Sequence, residues 1–233
     1  MTRQGAHARD SKAPVMALSS RMAQRVRRHH VPLLGICAIA AFAVYRVLPA
    51  GGTLFRMSMA TAYGALALLA ATLAIGALNI LRGRRNPVSI DLRRDIGIWC
   101  AIVTLAHVAI GLQVHMAGML LYFFHAPGGG RTTLRLDLFG LANHAGLIAA
   151  LLITLLLALS NDLSLRRLGV RRWKFWQRSN YVAAGLILLH GIAYMVIEKR
   201  ILSFVLLFAA LVGAASVIQF AGLLRRARAR HGT

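Results

Sequence analysis

Nine histidines stand in a chain of 233 residues that carries only six Asp and Glu. His7, His29, His30 and His231 lie in basic tails, where solvation explains them, and His125 lies in a loop beside Pro127. The other four, His107, His115, His144 and His190, fall within or next to long apolar runs. A neutral imidazole is the least costly ionisable side chain to place in lipid, and ionisable residues inside a membrane are functional candidates by default. A single imidazole serves equally well as a hydrogen-bonding link between helices, so the case needs a pair.

Depth supplies that pair. His107 follows Arg94 by 13 residues and His190 follows Arg178 by 12, which on a helix is a rise of roughly 20 Å and 18 Å. If both runs start from the same side of a membrane, the two imidazoles reach one level, a little past the midplane. Two neutral imidazoles facing each other in an apolar helical bundle are the axial ligand set of a b-type haem: the iron takes one nitrogen from each side and apolar side chains pack the macrocycle. His115 lies about 80° round the same helix from His107 and about 12 Å further along it. His144 sits in the segment NHAG at the start of the next run. Both are expected near a membrane–water interface. If they met at one level, they would form a second, outer site.

The elements that must carry these residues are apolar runs. The chain is 58% hydrophobic and 15% charged, with a mean hydropathy of +0.64, too little charge for a soluble domain of this length. A bilayer core of about 30 Å needs roughly 20 apolar residues as helix. Runs at 31–49, 57–81, 96–121, 139–160, 180–197 and 201–224 qualify. Backbone groups have no water to bond in lipid, so helices are expected. The sequence therefore predicts an all-α, polytopic membrane bundle of six transmembrane helices over 31–224, between a basic, disordered tail at 1–30 and a basic tail at 225–233. HAPGGGR, 125–131, reads as a loop from its proline and glycines.

Charge gives the direction. Segments 1–30, 82–94, 161–178 and 225–233 hold 22 of the 28 Lys and Arg, and the alternate connections hold the other six. The positive-inside rule then places both termini in the cytoplasm, with a bacterial-type inner membrane as the expected location. Reading the first run as a cleaved signal peptide leaves five spans and moves the charged loops to the wrong side. Arg46, at the far end of that run, is close enough to the interface to snorkel.

Composition excludes several classes. The net charge of +22 is a nucleic-acid signal only when it forms a face, whereas here it clusters between apolar runs. Cys37 and Cys100 make neither a metal nor a disulfide pattern and read as small buried hydrophobes. GGTL and GGGR lack the strand and helix that a dinucleotide-binding loop needs. The six acids are scattered singly, so a carboxylate pair or catalytic triad has no basis.

RRDIG stands before the third run and His107 within it, LALSND closes the fourth, and LGVRRWKFWQRSNY stands before the fifth, with His190 within it. These segments resemble the ferric reductase-like transmembrane domain family, which includes the haem-bearing membrane subunit of the periplasmic methionine sulfoxide reductase system and the membrane core of NADPH oxidases. They cover about 57–200. The resemblance implies six or so spans, b-type haem on helix histidines and transmembrane electron transfer, with His107 and His190 at ligand positions. It departs at Gln177, where the familiar pattern has a histidine that in many members serves a second, inner haem. Glutamine is not a usual iron ligand. One haem b is therefore expected, and a second only if His115 or another residue supplies a rearranged site.

A haem with both axial positions filled by protein carries single electrons and binds no substrate directly. The expected role is the membrane subunit of an oxidoreductase system without a flavin or NADPH domain of its own. Its donor would be membrane quinone or a separate reductase, and its acceptor a periplasmic protein, ferric iron or oxygen. The alternative is a non-redox transporter or scaffold that kept the fold and lost haem.

Overall fold

The computed structural model describes residues 22–48, 51–83, 90–116, 118–125 and 132–231. It divides into two compact units, 1–39 and 40–233. The described part of the first unit is helical, with a π-helical turn at Val26–His30 that runs into α1, Val31–Val47. In the second unit lie α2 (Thr53–Leu81), α3 (Ile90–Gly111), α4 (Leu138–Leu159), α5 (Asp162–Gln177), α6 (Ser179–Ile197) and α7 (Leu202–His231). Among the described residues, six helical stretches are long and apolar enough to cross a membrane: Met22–Val47, Thr53–Leu81, Asp91–Gly111, Leu138–Leu159, Asp162–Ile197 and Leu202–Ala229. The chain is an all-α, multi-span membrane bundle.

The packing order explains the interior. In the second unit α2 packs against α3 and α7, α3 against α4, and α4 against α6. Small residues permit the closest approach. Ala101 of α3 and Ala183 of α6 are both fully enclosed, and with Ile153 of α4 they form one core cluster. Side-chain volume is minimal at that level, so three helices converge there. A second cluster gathers Leu48, Met59, Tyr63 and Phe204. There the Tyr63 hydroxyl donates to the Phe204 carbonyl at 2.8 Å, an interhelical bond where no water competes.

Several boundaries differ from the sequence expectation for identifiable reasons. Span three, expected over 96–121, ends as α3 at Gly111. Tyr122, in the 3-10 helix Met119–Tyr122, folds back over that end. Its hydroxyl donates to the Gly111 carbonyl at 2.9 Å and accepts from the His115 backbone N–H at 2.8 Å, satisfying groups that a helix end leaves open. The chain then forms a two-stranded hairpin, β1 (Phe124–His125) with β2 (Thr133–Leu134). The expected loop at 125–131 lies mostly outside the described residues.

The segment 161–178 is not a loop. It is α5, capped by Asn161, whose side chain accepts the Ser164 N–H at 2.7 Å. At Gly169 φ is +70° and ψ 160°, outside the helical region and rarely adopted by side-chain-bearing residues, so α5 is two short helices joined at a kink. The Trp173 indole N–H donates to the Leu159 carbonyl at 3.0 Å and holds α5 against the end of α4. Residues 22–30, expected as part of a disordered tail, are helical and continue into the first span, and residues 225–231 of the basic C-terminal tail continue the last helix, because Arg is a good helix former. Residues 1–21 lie outside the described part. Neither cysteine is in a disulfide, and only Cys100 is buried; Cys37 is partly exposed, contrary to the expectation for both.

Candidate functional site

α3 and α6 both run from the cluster of Ala101, Ile153 and Ala183 toward the histidine pair. His107 comes six residues beyond Ala101, and His190 seven residues beyond Ala183. The two imidazoles therefore arrive at one height, and their ring centres lie 6.3 Å apart with planes at 77°. Neither side chain is loose. His107 Nδ1 lies 3.0 Å from the Ser58 carbonyl oxygen of α2, and His190 Nδ1 lies 2.8 Å from the Ala142 carbonyl oxygen of α4. A carbonyl accepts only, so each Nδ1 must carry the proton and each Nε2 keeps its lone pair. This tautomer, with a carbonyl fixing the ring from behind, is how proteins present histidine to a metal.

Both rings face a cavity of about 220 Å³, with about 1430 Å³ between its lining atoms when the open mouth is counted. Its wall is mainly apolar and includes Phe55, Met59, Leu66, Leu112, Leu147 and Phe208. Gly146 of α4 also lines it. A Cβ there would stand 2.7 Å from His190 Nδ1, so the close approach of α4 that lets Ala142 hold this ring requires glycine at 146.

Polar groups also line the cavity. His115 Nε2 lies 2.8 Å from Glu198 Oε1, and Arg200 Nη2 lies 2.6 Å from Glu198 Oε2. The Tyr194 hydroxyl donates to Asn143 Oδ1 at 2.9 Å, and its ring sits 4.8 Å from that of His190. Burial draws the Arg200 pKa below its ordinary value, opposed chiefly by Glu198. Glu198 and Arg200 reach the cavity through the turn between α6 and α7. There the Arg200 N–H donates to the Met195 carbonyl and the Lys199 N–H to the Val196 carbonyl, with Lys199 at φ +46°. This is a Schellman closure built on lysine where glycine is usual.

The sequence-predicted residues thus separate into groups. His107 and His190 come together. His115 lines the same cavity but is engaged by Glu198, and its ring neighbours are Phe139 and Tyr194. His144 packs against Phe123, and its Nε2 is buried without a hydrogen-bond partner among the described residues. His115 and His144 thus have different neighbours. Gln177 ends α5, beyond the lining of this cavity. Sequence reasoning missed Glu198, Arg200 and Tyr194. The available signal was EKR after the fifth run, which places one of only six acids at the end of a span.

The donor set can be tested against a haem. A metal–imidazole bond of about 2.0 Å on each side, with each ring centre about 1.1 Å behind its nitrogen, separates two axial rings by about 6.2 Å. The observed 6.3 Å agrees. No group of three or more His, Cys, Asp or Glu suited to a metal ion exists among the described residues, whereas a porphyrin needs only two protein ligands. The residues present fit the group. No family model, curated protein or solved structure matches the chain.

Proposed function

We propose that the chain is an integral-membrane b-type haem protein that carries electrons across or within the membrane, as the membrane subunit of an oxidoreductase system. The observation that carries this reading is the His107–His190 pair: two carbonyl-fixed imidazoles, 6.3 Å between centres, on separate helices and facing one apolar cavity. His107 and His190 would be the axial ligands. When bound, the haem supplies a one-electron carrier with no open coordination site. The chain's own residues do the rest. Ser58 and Ala142 hold the ligand tautomers, the aromatic and aliphatic wall excludes water, and Gly146 leaves room for the ring of His190.

A hydrophobic wall and fixed imidazoles tune the potential of such a centre without any residue changing its proton count. The biased distribution of Lys and Arg supports a topology with the basic segments and both termini in the cytoplasm, in a bacterial-type inner membrane. Electrons would come from membrane quinone or a separate reductase and leave to an acceptor such as a periplasmic protein.

The test is cofactor content. Protein purified in detergent after expression with ample haem should yield a b-type pyridine haemochrome at one haem per chain. A colourless protein points instead to a transporter or scaffold and defeats this reading.

A further inference from the structure

The cavity is chemically lopsided. One part is the apolar wall around His107 and His190, and the other is a nearly enclosed guanidinium, Arg200, whose side chain is 14% exposed. A buried cation is tolerated only when anionic or hydrogen-bonding groups satisfy it. Glu198 engages one nitrogen of Arg200, but a guanidinium carries five N–H groups in a fixed fork that matches carboxylates. Glu198 Oε1 is met by His115, while Oε2 lies 2.6 Å from Arg200 Nη2 as an ion pair without hydrogen-bond alignment, so this carboxylate neutralises the guanidinium from one side only. The Phe55 ring, 5.3 Å from the Arg200 guanidinium carbon, braces it from another. The α6–α7 turn places the group at the cavity through Lys199 in a left-handed conformation that residues other than glycine rarely adopt.

We propose that Arg200 binds the anionic edge of the ligand held between His107 and His190, so that a haem seats with its carboxylates toward the α6–α7 turn. This rests on the haem reading above. It adds a residue and an orientation that the histidine pair does not determine, since two axial ligands leave the macrocycle free to turn about the axis joining them. Arg200 fixes that rotation.

The experiment compares haem with haem dimethyl ester, whose carboxylates are masked, by titrating each into full-length haem-free protein in detergent. Wild-type protein should bind haem at least about tenfold more tightly, the size of one charge-assisted contact. Arg200→Leu should bind both ligands alike, while Arg200→Lys should keep part of the preference. Equal affinity of the wild type for the two ligands overturns the proposal without touching the histidine pair. A preference that survives in Arg200→Leu assigns the carboxylates elsewhere and also overturns it. If the wild type binds neither ligand, the haem reading itself fails and this inference fails with it. The wild-type comparison needs no variant, so a misfolded Arg200→Leu leaves the test intact.

Discussion

The imidazole planes of His107 and His190 are turned 77° from each other. Each angle is imposed from outside the pair, because Nδ1 of one ring is tied to Ser58 of α2 and Nδ1 of the other to Ala142 of α4. Near-perpendicular axial imidazoles leave the iron dπ orbitals almost degenerate. The ferric protein should therefore give a strongly anisotropic low-spin EPR signal, its largest g value well above that of parallel-plane bis-imidazole haems. An ordinary rhombic spectrum would show that the rings rotate into parallel planes, against their carbonyl partners.

Gly146 should be the most sensitive position that carries no donor side chain. The methyl of Gly146→Ala meets His190 Nδ1 at 2.7 Å, and overpacking of this kind costs typically 1–3 kcal/mol. Haem affinity should drop about tenfold or more. Gly185→Ala, on α6 with open space beside it, should leave affinity unchanged. Titration of haem into the two variants makes the comparison.

His115 lines the cavity, but its Nε2 is engaged by Glu198. His115→Ala should keep one haem per chain and an unshifted reduced α-band. A loss of half or more of the haem would place His115 among the ligands.

The N-terminus of α4 predicts a pH effect. The Asp137 carboxylate is held below the usual range, first by the Gly140 N–H that donates to it at 2.7 Å and then by Arg135. A depressed folded pKa contributes stability that is present above the unfolded value of about 4 and is lost as pH falls through the folded value. Asp137→Ala should lower stability by about 1 kcal/mol at neutral pH, and by less as the pH drops below 4. Asp137→Asn should retain most of the cap. Thermal unfolding in detergent at neutral and acid pH measures both.

What the sequence made legible follows from what is local. The apolar runs are set by the need to satisfy the backbone in lipid, and all six appear as helices. The height of the histidine pair was countable from Arg94 and Arg178 because helical rise is regular. Tertiary devices were not legible. Tyr122 ends α3 ten residues early by a contact that periodicity does not encode. α5 was hidden because a charged segment with a glycine reads as loop, and Gly169 does interrupt it, leaving a helix on each side. Arg200 and Glu198 meet at the cavity only because the chain turns at Lys199.

In the proposed function His107 and His190 are the two axial ligands of one haem. The dithionite-reduced minus oxidised spectrum of the purified protein, recorded beside those of His107→Ala and His190→Ala, tests it most directly. The wild type should show a b-type α-band that either variant loses, with both variants still folded by circular dichroism. A wild type without an α-band, or a folded variant that retains the band at full height, would contradict it.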